Sequence, residues 1–370
     1  MSVDKDPYLI NTYQFQAIDQ SVNIANKRRV IDIMQQMVNA PLGDLEEATS
    51  TAYSMEADVS VSHPINELHG PAEIDVHVWK PLRRAIPDLE RRDDIIAGGI
   101  YRDTNWIACL GHYVGTFEQD WLGIPATRGV VAVRFAEGHE LHEGKITRSY
   151  VFIDFLDLMR QAGYWPIAPS LGCEMRWLPP MTRDGVVLTP QESAISRESI
   201  ERVLRMHNAL GFYKGKPPTR EALDDMEMVK HWHPNFIWSG AGGIGVTRGL
   251  KGYEDHHQIP FLAAFPDRRG SDIGHFIRIG DGRYVVTGGW GYLQATHTGD
   301  GFLGMPATGK HVAMRVMDFY RCDDTTIVEN WVPFDIPHLL LQMGVDVFGR
   351  MRHQFRQHQP IQASDWLVKR

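Results

Sequence analysis

The stretch GIPATRG, residues 123–129, returns in altered form as GMPATGK at residues 304–310. The alignment of the two copies continues without a gap from Gly123 and Gly304 to Gly163 and Gly344. Identical residues along it include Arg134 with Arg315, Ile146 with Ile327, Asp154 with Asp335, Leu158 with Leu339 and Gln161 with Gln342. Self-similarity at a fixed separation over this length predicts a duplicated domain.

The repeat continues upstream at a slightly shorter separation. There PLRRAIPD (81–88) aligns with PFLAAFPD (260–267), and His77 aligns with His256. Loop changes between the copies explain the small difference in separation. We therefore predict a first domain at 1–163 with an N-terminal helix, a proline-rich connector at 164–190, a second domain at 191–350 and a C-terminal tail at 351–370.

The second copy of the motif also has the G-x-x-x-x-G-K spacing of a phosphate-binding loop. Three features argue against that interpretation. His311 stands where the magnesium-binding Ser or Thr is required, Pro306 removes one backbone N–H donor, and the following residues have the pattern of a strand. The first copy also lacks the lysine, so a nucleotide site is not predicted.

Each copy starts with helical periodicity and continues with strands. Apolar residues recur on one helix face in 26–40 and again in 196–211, where a partial capping box at Ser196 and a terminal Gly211 suggest the helix ends. Short runs rich in β-branched and aromatic residues follow in both copies. Helices followed by hairpin-linked strands predict an α+β domain with an antiparallel sheet.

The composition limits the possible functions and surroundings. The chain of 370 residues has a formal net charge of −8, which argues against a nucleic-acid partner. We find no apolar run long enough for a membrane span and no signal peptide at the N-terminus, and the three cysteines are widely spaced. These features predict a cytoplasmic protein with no membrane partner.

Three motifs of the second copy resemble those of one known family. FPD (265–267), THTGDGFLGMPATGK (296–310) and ENWVPFDIPHLLLQMG (329–344) resemble the SnoaL-like polyketide cyclase family of the NTF2-like superfamily. The resemblance implies tandem NTF2-like (cystatin-like) cone-shaped barrels, each a curved antiparallel sheet wrapped around helices and enclosing an apolar pocket. It also implies acid–base chemistry on a carbonyl compound without a cofactor.

The resemblance further implies a role for one aspartate in each copy. In the family, an aspartate four residues after the tryptophan of the last strand acts as acid and base. Here Asp335 follows Trp331 at that spacing, whereas in the first copy Asp154 follows Tyr150.

The residues themselves support a pocket position for these carboxylates. Alternation along a strand places Trp331 and Asp335 on one face, and Tyr150 and Asp154 likewise, so each carboxylate has bulky apolar neighbours that would raise its pKa. The alternative is that both aspartates cap the helices that follow them.

Histidines and aromatic residues provide the other candidate site residues. His297 could donate a hydrogen bond to a developing oxyanion, with Trp290 seven residues before it; the alternative is a solvated strand histidine. Trp106 and Tyr113 have the same spacing in the first copy, so we align Tyr113 with His297, and His112 is one residue away.

Two further candidates are His256 and His257, in the segment YEDHHQIPF (253–261). Carboxylates and imidazoles can bind a metal, but adjacent histidines diverge on a helix, so we predict no metal site. Either histidine could line the pocket.

We therefore predict a cofactor-independent enzyme acting on a carbonyl-containing small molecule through an enolate, with Asp335 as the base. Aldol cyclisation, isomerisation and elimination all pass through that intermediate. The alternatives are a non-catalytic small-molecule binding protein and a hydrolase in which the aspartate activates water. The two domains are predicted to pack as an internal pseudo-dimer, which leaves a homodimer of the whole chain open.

Overall fold

The computed structural model describes residues 13–213, 217–270 and 274–357. These residues form two copies of one arrangement. Repeat one runs from the first helix to the fifth and repeat two from the sixth to the tenth, and a further helix follows repeat two.

Repeat one contains α1 (Gln20–Asn39), α2 (Leu45–Ala52), β1 (Tyr53–Val61), β2 (Asn66–His69), α3 (Gly70–Ile74), α4 (Lys80–Ala85), β3 (Glu90–Tyr101), β4 (Thr104–Thr116), β5 (Val130–His142), β6 (Lys145–Ile153) and α5 (Phe155–Gln161). Repeat two contains α6 (Ser193–Leu210), α7 (Arg220–Leu223), β7 (Trp232–Gly240), β8 (Val246–Arg248), α8 (Gly249–Tyr253), α9 (Ile259–Ala264), β9 (His275–Asp281), β10 (Tyr284–Thr296), β11 (His311–Cys322), β12 (Ile327–Val332) and α10 (Ile336–Met343). The last helix is α11 (Val347–Gln357).

The first helix of each repeat starts earlier than its periodicity predicts. The Asp19 carboxylate accepts hydrogen bonds from Ser21 N and Val22 N and so caps α1 well ahead of the predicted start. Ser196 lies inside α6, where its hydroxyl donates to Glu192 O, so the partial capping box is wrong. Gly211 has φ −74°, which is not the left-handed conformation of a terminal glycine.

Each repeat forms one open six-stranded sheet, with strand orders β2-β1-β6-β5-β4-β3 and β8-β7-β12-β11-β10-β9. The α+β class and the tandem arrangement are therefore confirmed. The sheets are antiparallel except where β1 pairs with β6 and β7 pairs with β12, since both pairs are parallel. The predicted all-antiparallel sheet needs this correction, and the curved sheets do not close into barrels.

The two sheets pack on each other and bury a shared apolar layer. Tyr150 of β6 stacks on Phe276 of β9 with ring centroids 3.9 Å apart. Gly99 of β3 approaches Ile279 so closely that an added Cβ would lie 2.9 Å from the Ile279 Cβ. The internal interface is therefore a close-packed contact between the sheets, and a larger side chain at position 99 would push them apart.

The segment 164–190 packs along both repeats. Cys173 pairs with Val246 of β8, Val186 pairs with Ile96 of β3, and the Trp177 indole donates to Gly240 O. No helix within the described ranges is long and apolar enough to cross a membrane. The domain boundaries at 163, 190 and 350 stay predictions.

Candidate active site

Repeat two encloses a cavity of about 190 Å³ between its sheet and helices α6, α8 and α9. A space of this size holds on the order of a dozen water molecules. Aromatic side chains form a large part of its wall, among them Trp232, Trp238, Tyr253, Phe261, Tyr292 and Phe334. An apolar pocket with a few polar groups is the usual form of a small-molecule site.

Among the described residues that line this cavity, Asp318 is the one with a carboxyl group. Strand alternation along β11 turns Val316, Asp318 and Tyr320 to the same side, and all three line the cavity. Burial raises the pKa of Asp318 to about 7, although the Asn330 amide and the Tyr320 hydroxyl oppose the shift. The carboxyl therefore exists in both protonation states near neutral pH.

Polar groups of β12, β11 and α6 lie close to Asp318 in the cavity wall. Asn330 Nδ2 lies 3.4 Å from Asp318 Oδ1, and Tyr320 lies on the same side of β11 and also lines the cavity. The Tyr320 hydroxyl also lies 2.9 Å from His207 Nε2. Burial, assisted by the positive charge of Arg278, lowers the pKa of His207 to about 3, so this imidazole is neutral above that pH.

His257 is the predicted site residue that the structure places in the cavity. It lies in the one-turn π-helical segment Glu254–Gln258, and its ring stacks on Trp238 at 4.2 Å. Burial, with a contribution from Arg268, lowers the pKa of His257 to about 3. Its neighbour His256 is exposed and is not part of the cavity wall.

Repeat one has a different chemistry at the position of Asp318. The repeat alignment places Glu137 there, and Glu137 is buried beside Arg91, with Arg91 Nη2 2.8 Å from Glu137 Oε2. The Tyr113 hydroxyl donates to the same carboxylate at 2.8 Å. Burial alone would raise the pKa of Glu137, but Arg91 and His139 outweigh it and hold the pKa well below its ordinary range. An ion pair therefore fixes the charge of this carboxylate.

Asp335 lies at the contact between the repeats and is not among the residues that line the cavity. It caps α10 by accepting from His338 N at 3.1 Å, and its other oxygen accepts from His63 N of repeat one at 2.9 Å. Arg315 Nη1 is 3.1 Å from that second oxygen. Burial raises the pKa of Asp335 to about 6 against these three interactions.

Asp154 has the corresponding contacts in repeat one. It caps α5 by accepting from Asp157 N, and it accepts from Gly242 N of repeat two at 2.9 Å. Arg134 Nη1 lies 3.0 Å away. Burial raises the pKa of Asp154, and Arg134 opposes that shift. Each aspartate thus joins its own helix to a loop of the other repeat.

His297 is fully buried beyond the end of β10, where its Nδ1 lies 3.1 Å from the Thr308 hydroxyl. Its ring packs against Phe265 at 5.3 Å, and it is not a cavity-lining residue. Burial lowers its pKa, although Asp300 opposes the shift.

The predicted alignment of Tyr113 with His297 is wrong. Tyr113 pairs with Val133 in β5, and Leu293 pairs with the equivalent Met314 in β11. Leu293 is therefore the residue of repeat two that is equivalent to Tyr113. The same alignment, continued along the strand, matches Phe117 with His297. A register shift between Trp290 and Leu293, which β4 lacks, accounts for the error.

The remaining predicted residues lie away from the cavity. Trp331, Trp290 and Tyr150 belong to the layer between the sheets, where the Trp331 indole donates to Leu178 O. His112 is buried beside Asp94 on the same side of β4 as that layer, with Nδ1 3.0 Å from Asp94 Oδ2. Within the described ranges, no cluster of three His, Cys, Asp or Glu side chains could hold a metal ion.

The cavity also contains polar residues that sequence reasoning missed, which include Asp318, Tyr320, Asn330, His207, Gln258, His275, Arg268 and Arg278. A usable signal existed for the first of these. The repeat aligns Asp318 with Glu137, which is an acidic residue in the interior of a strand in both copies. His207 carried no such signal, because a half-buried helical histidine has no distinctive pattern.

Residues 220–343 match the model of the SnoaL-like polyketide cyclase family. Repeat two contains a SnoaL-like domain. The matched range includes Asp318, Tyr320 and Asn330, whereas His207 lies before it. No curated protein matches the chain.

Solved structures that resemble parts of the chain include three bacterial proteins. A protein assigned to the SnoaL-like polyketide cyclases from Jannaschia sp. CCS1 is 14% identical, covers 39% of this chain and 94% of its own, and has a TM-score of 0.32. TsrD from Streptomyces laurentii is 17% identical, with 40% and 98% coverage and a TM-score of 0.30. An NTF2-like protein from Burkholderia thailandensis E264 is 18% identical, with 38% and 97% coverage and a TM-score of 0.30.

Proposed function

We propose that the SnoaL-like domain of repeat two is a cofactor-independent acid–base enzyme and that Asp318 is its catalytic base. The substrate would be a small molecule with a carbonyl group that enters the aromatic cavity. Asp318 would take a proton from the carbon next to the carbonyl and return it at another carbon or to a leaving group. Aldol cyclisation, isomerisation and elimination all use that step.

The observation that carries this proposal is the position of Asp318 in the cavity with a pKa of about 7. A general base is most effective when its pKa lies near the working pH, since both the ionised and the protonated form are then available. Neutral His257 and the Tyr253 hydroxyl also line the cavity. Either could donate a hydrogen bond to the oxygen of the enolate.

The geometry favours Asp318 over Asp335, the base predicted from the resemblance. The Asp335 oxygens already accept from two backbone N–H groups and contact Arg315, and the residue lies outside the cavity wall. A carboxylate held in these contacts outside the cavity wall is not placed to reach a substrate inside the cavity.

The test is hydrogen–deuterium exchange at carbon, followed by proton NMR in D₂O. A panel of enolisable ketones, β-keto acids and keto sugars is incubated with the wild type, D318N and D335N. We expect exchange with the wild type and a loss of about 100-fold or more in D318N, because general acid–base groups contribute that much. D335N should keep its exchange activity and lose thermal stability, because it weakens a contact between the repeats.

The opposite pattern, with D335N inactive and D318N active, would overturn the assignment of the base. Ligand binding without exchange in the wild type would favour a binding protein. Incorporation of labelled oxygen from water without carbon exchange would favour hydrolysis.

A further inference from the structure

Asn330 of β12 lies beside Asp318 of β11 and is 2% exposed. The strands pair so that Asn330 stands opposite Tyr320, which is two residues from Asp318 on the same face of the sheet. Both Asn330 and Asp318 line the cavity. The Asn330 amide therefore borders the site in which the proposed reaction takes place.

The backbone holds the Asn330 amide independently of Asp318. Its Nδ2 donates to Phe319 O at 3.0 Å and lies 3.5 Å from Trp331 O. An amide oxygen at the same place would face two carbonyl oxygens, so these contacts fix which end of the amide carries the N–H groups. The amide nitrogen has two protons. One of them is committed to Phe319 O, and the other is available for Asp318, whose Oδ1 is 3.4 Å from Nδ2.

The equivalent position in repeat one has different contacts. The repeat alignment places Ser149 there, and its hydroxyl is hydrogen-bonded to His139 Nδ1 at 2.7 Å. Glu137, the counterpart of Asp318, contacts Arg91 instead. The pairing of an amide donor with the carboxyl group thus belongs to the repeat in which that carboxyl group lines a large cavity.

We propose that Asn330 is a positioning residue that holds Oδ1 of Asp318 with its amide N–H, so that Oδ2 is the oxygen that takes the proton from the substrate. This inference rests on the proposed role of Asp318 as base. In that step the C–H bond of the substrate breaks, an O–H bond forms at Oδ2, and the electron pair stays on the substrate as the enolate. A donor on Oδ1 favours the ionised carboxyl group and restricts its rotation about the Cβ–Cγ bond.

Two tyrosines also lie close to Asp318. Burial, together with the charge of Asp318, raises the pKa of Tyr320 and that of Tyr253. The variants below leave both tyrosines unchanged, so a change in the titration of Asp318 reports the loss of the amide.

The first test follows the Asn330 side-chain amide of the wild type by proton–nitrogen NMR as the pH is varied. One of its two protons should move downfield as Asp318 ionises near pH 7, because a hydrogen bond to a charged acceptor is stronger than one to a neutral acceptor. The same resonance should not move in D318N. An amide signal that does not follow the ionisation of Asp318 would overturn the proposal.

The second test uses N330L, which has a side chain of similar size without a donor. A carbon-13 titration of the Asp318 carboxyl group, assigned as the resonance missing in D318N, should give a pKa higher by about 0.5 to 1, since the lost bond is to a charged group but is long. Deuterium exchange at high pH, where Asp318 is ionised in both proteins, should slow about tenfold, because the carboxylate is less well oriented. N330A serves for both measurements if N330L does not fold.

The matched control is S149A, which alters the buried polar residue at the equivalent position of repeat one and should change neither result. An Asp318 titration in N330L that equals the wild type, or a raised pKa with an unchanged exchange rate at high pH, would contradict the positioning role. Neither titration needs a substrate. Loss of the hydrogen bond therefore overturns this inference alone, whereas the expected titrations without any exchange activity overturn the proposed function.

Discussion

Asp318 and Glu137 occupy the same position in the two repeats, yet their surroundings give them opposite properties. Arg91 contacts Glu137 and stabilises its charge, whereas the raised pKa of Asp318 arises from burial and is opposed by neutral hydrogen-bond donors. In repeat one, Arg91 lies opposite Tyr113. The equivalent position in repeat two, opposite Leu293, is occupied by Gly270. Because glycine has no side chain, this position offers no positive charge to pair with Asp318 as Arg91 pairs with Glu137.

This difference predicts a pH-dependent effect of D318N on stability. Above the ordinary pKa of aspartate, the unfolded chain ionises at position 318, while the folded protein keeps the proton up to about pH 7. The folded wild type therefore binds more protons than the unfolded chain in this window and loses stability as the pH rises, whereas asparagine does not titrate. We expect D318N to gain about 2–4 kcal/mol relative to the wild type between about pH 4 and pH 7.5.

Urea unfolding of both proteins at these two pH values measures the effect. A difference in the free energy of unfolding that stays constant with pH would show that Asp318 titrates normally.

At the level of strands and helices, most of the repeat could be predicted from the sequence and the strand pairing could not. The gapless alignment that starts at Gly123 and Gly304 correctly matched β5 with β11 and α5 with α10, because no insertion separates those segments in either copy. The parallel partner β1 could not be predicted, since it lies far before β6 in the chain and local patterns do not report distant pairing. For Asp154 and Asp335, the sequence was compatible with a position in a pocket and with a helix cap. In the structure both aspartates cap the helix that follows them.

The β10 bulge explains why Tyr113 was aligned with His297, and it contributes one residue to the cavity wall. Two extra residues, Gly291 and Tyr292, interrupt the pairing with β11, and Tyr292 lines the cavity. Gly291 has φ +76°, which a residue with a side chain adopts only with strain. The register of β4 is continuous with β5 at the equivalent place.

We predict that deleting Gly291 and Tyr292 together keeps the fold and removes most of the ligand affinity. Repeat one shows that the sheet accepts a strand without the bulge, while the deletion takes away part of the cavity wall. Circular dichroism checks the fold, and calorimetry with any compound that binds the wild type measures the loss, which we expect to be about tenfold or more. Unchanged affinity would show that the bulge does not shape the binding site.

At the level of the whole molecule, the repeats are joined by a sheet contact and by two matching hydrogen bonds. Asp154 accepts from Gly242 N and Asp335 accepts from His63 N, both at 2.9 Å. The same aspartates hold Arg134 and Arg315 of their own repeats. This arrangement is that of a dimer with twofold symmetry built from one chain.

Repeat two expressed alone, as residues 191–370, should therefore associate with itself. It would expose Phe276, Phe319 and Trp331, which are buried in the intact chain. Large exposed apolar surfaces of this kind promote association. Analytical ultracentrifugation should show dimers or larger species at micromolar concentration, whereas a stable monomer with a cooperative thermal transition would contradict the role assigned to the interface.

The most direct test of the central claim is a carbon-13 titration of the Asp318 and Glu137 carboxyl groups in one sample of the wild-type protein. Our account predicts that Asp318 changes protonation near pH 7, while Glu137 stays ionised throughout the pH range in which the protein is folded. Titration of Asp318 near pH 4, roughly the ordinary value for an exposed aspartate, would contradict the proposal that this carboxyl group is the acid and base of the site.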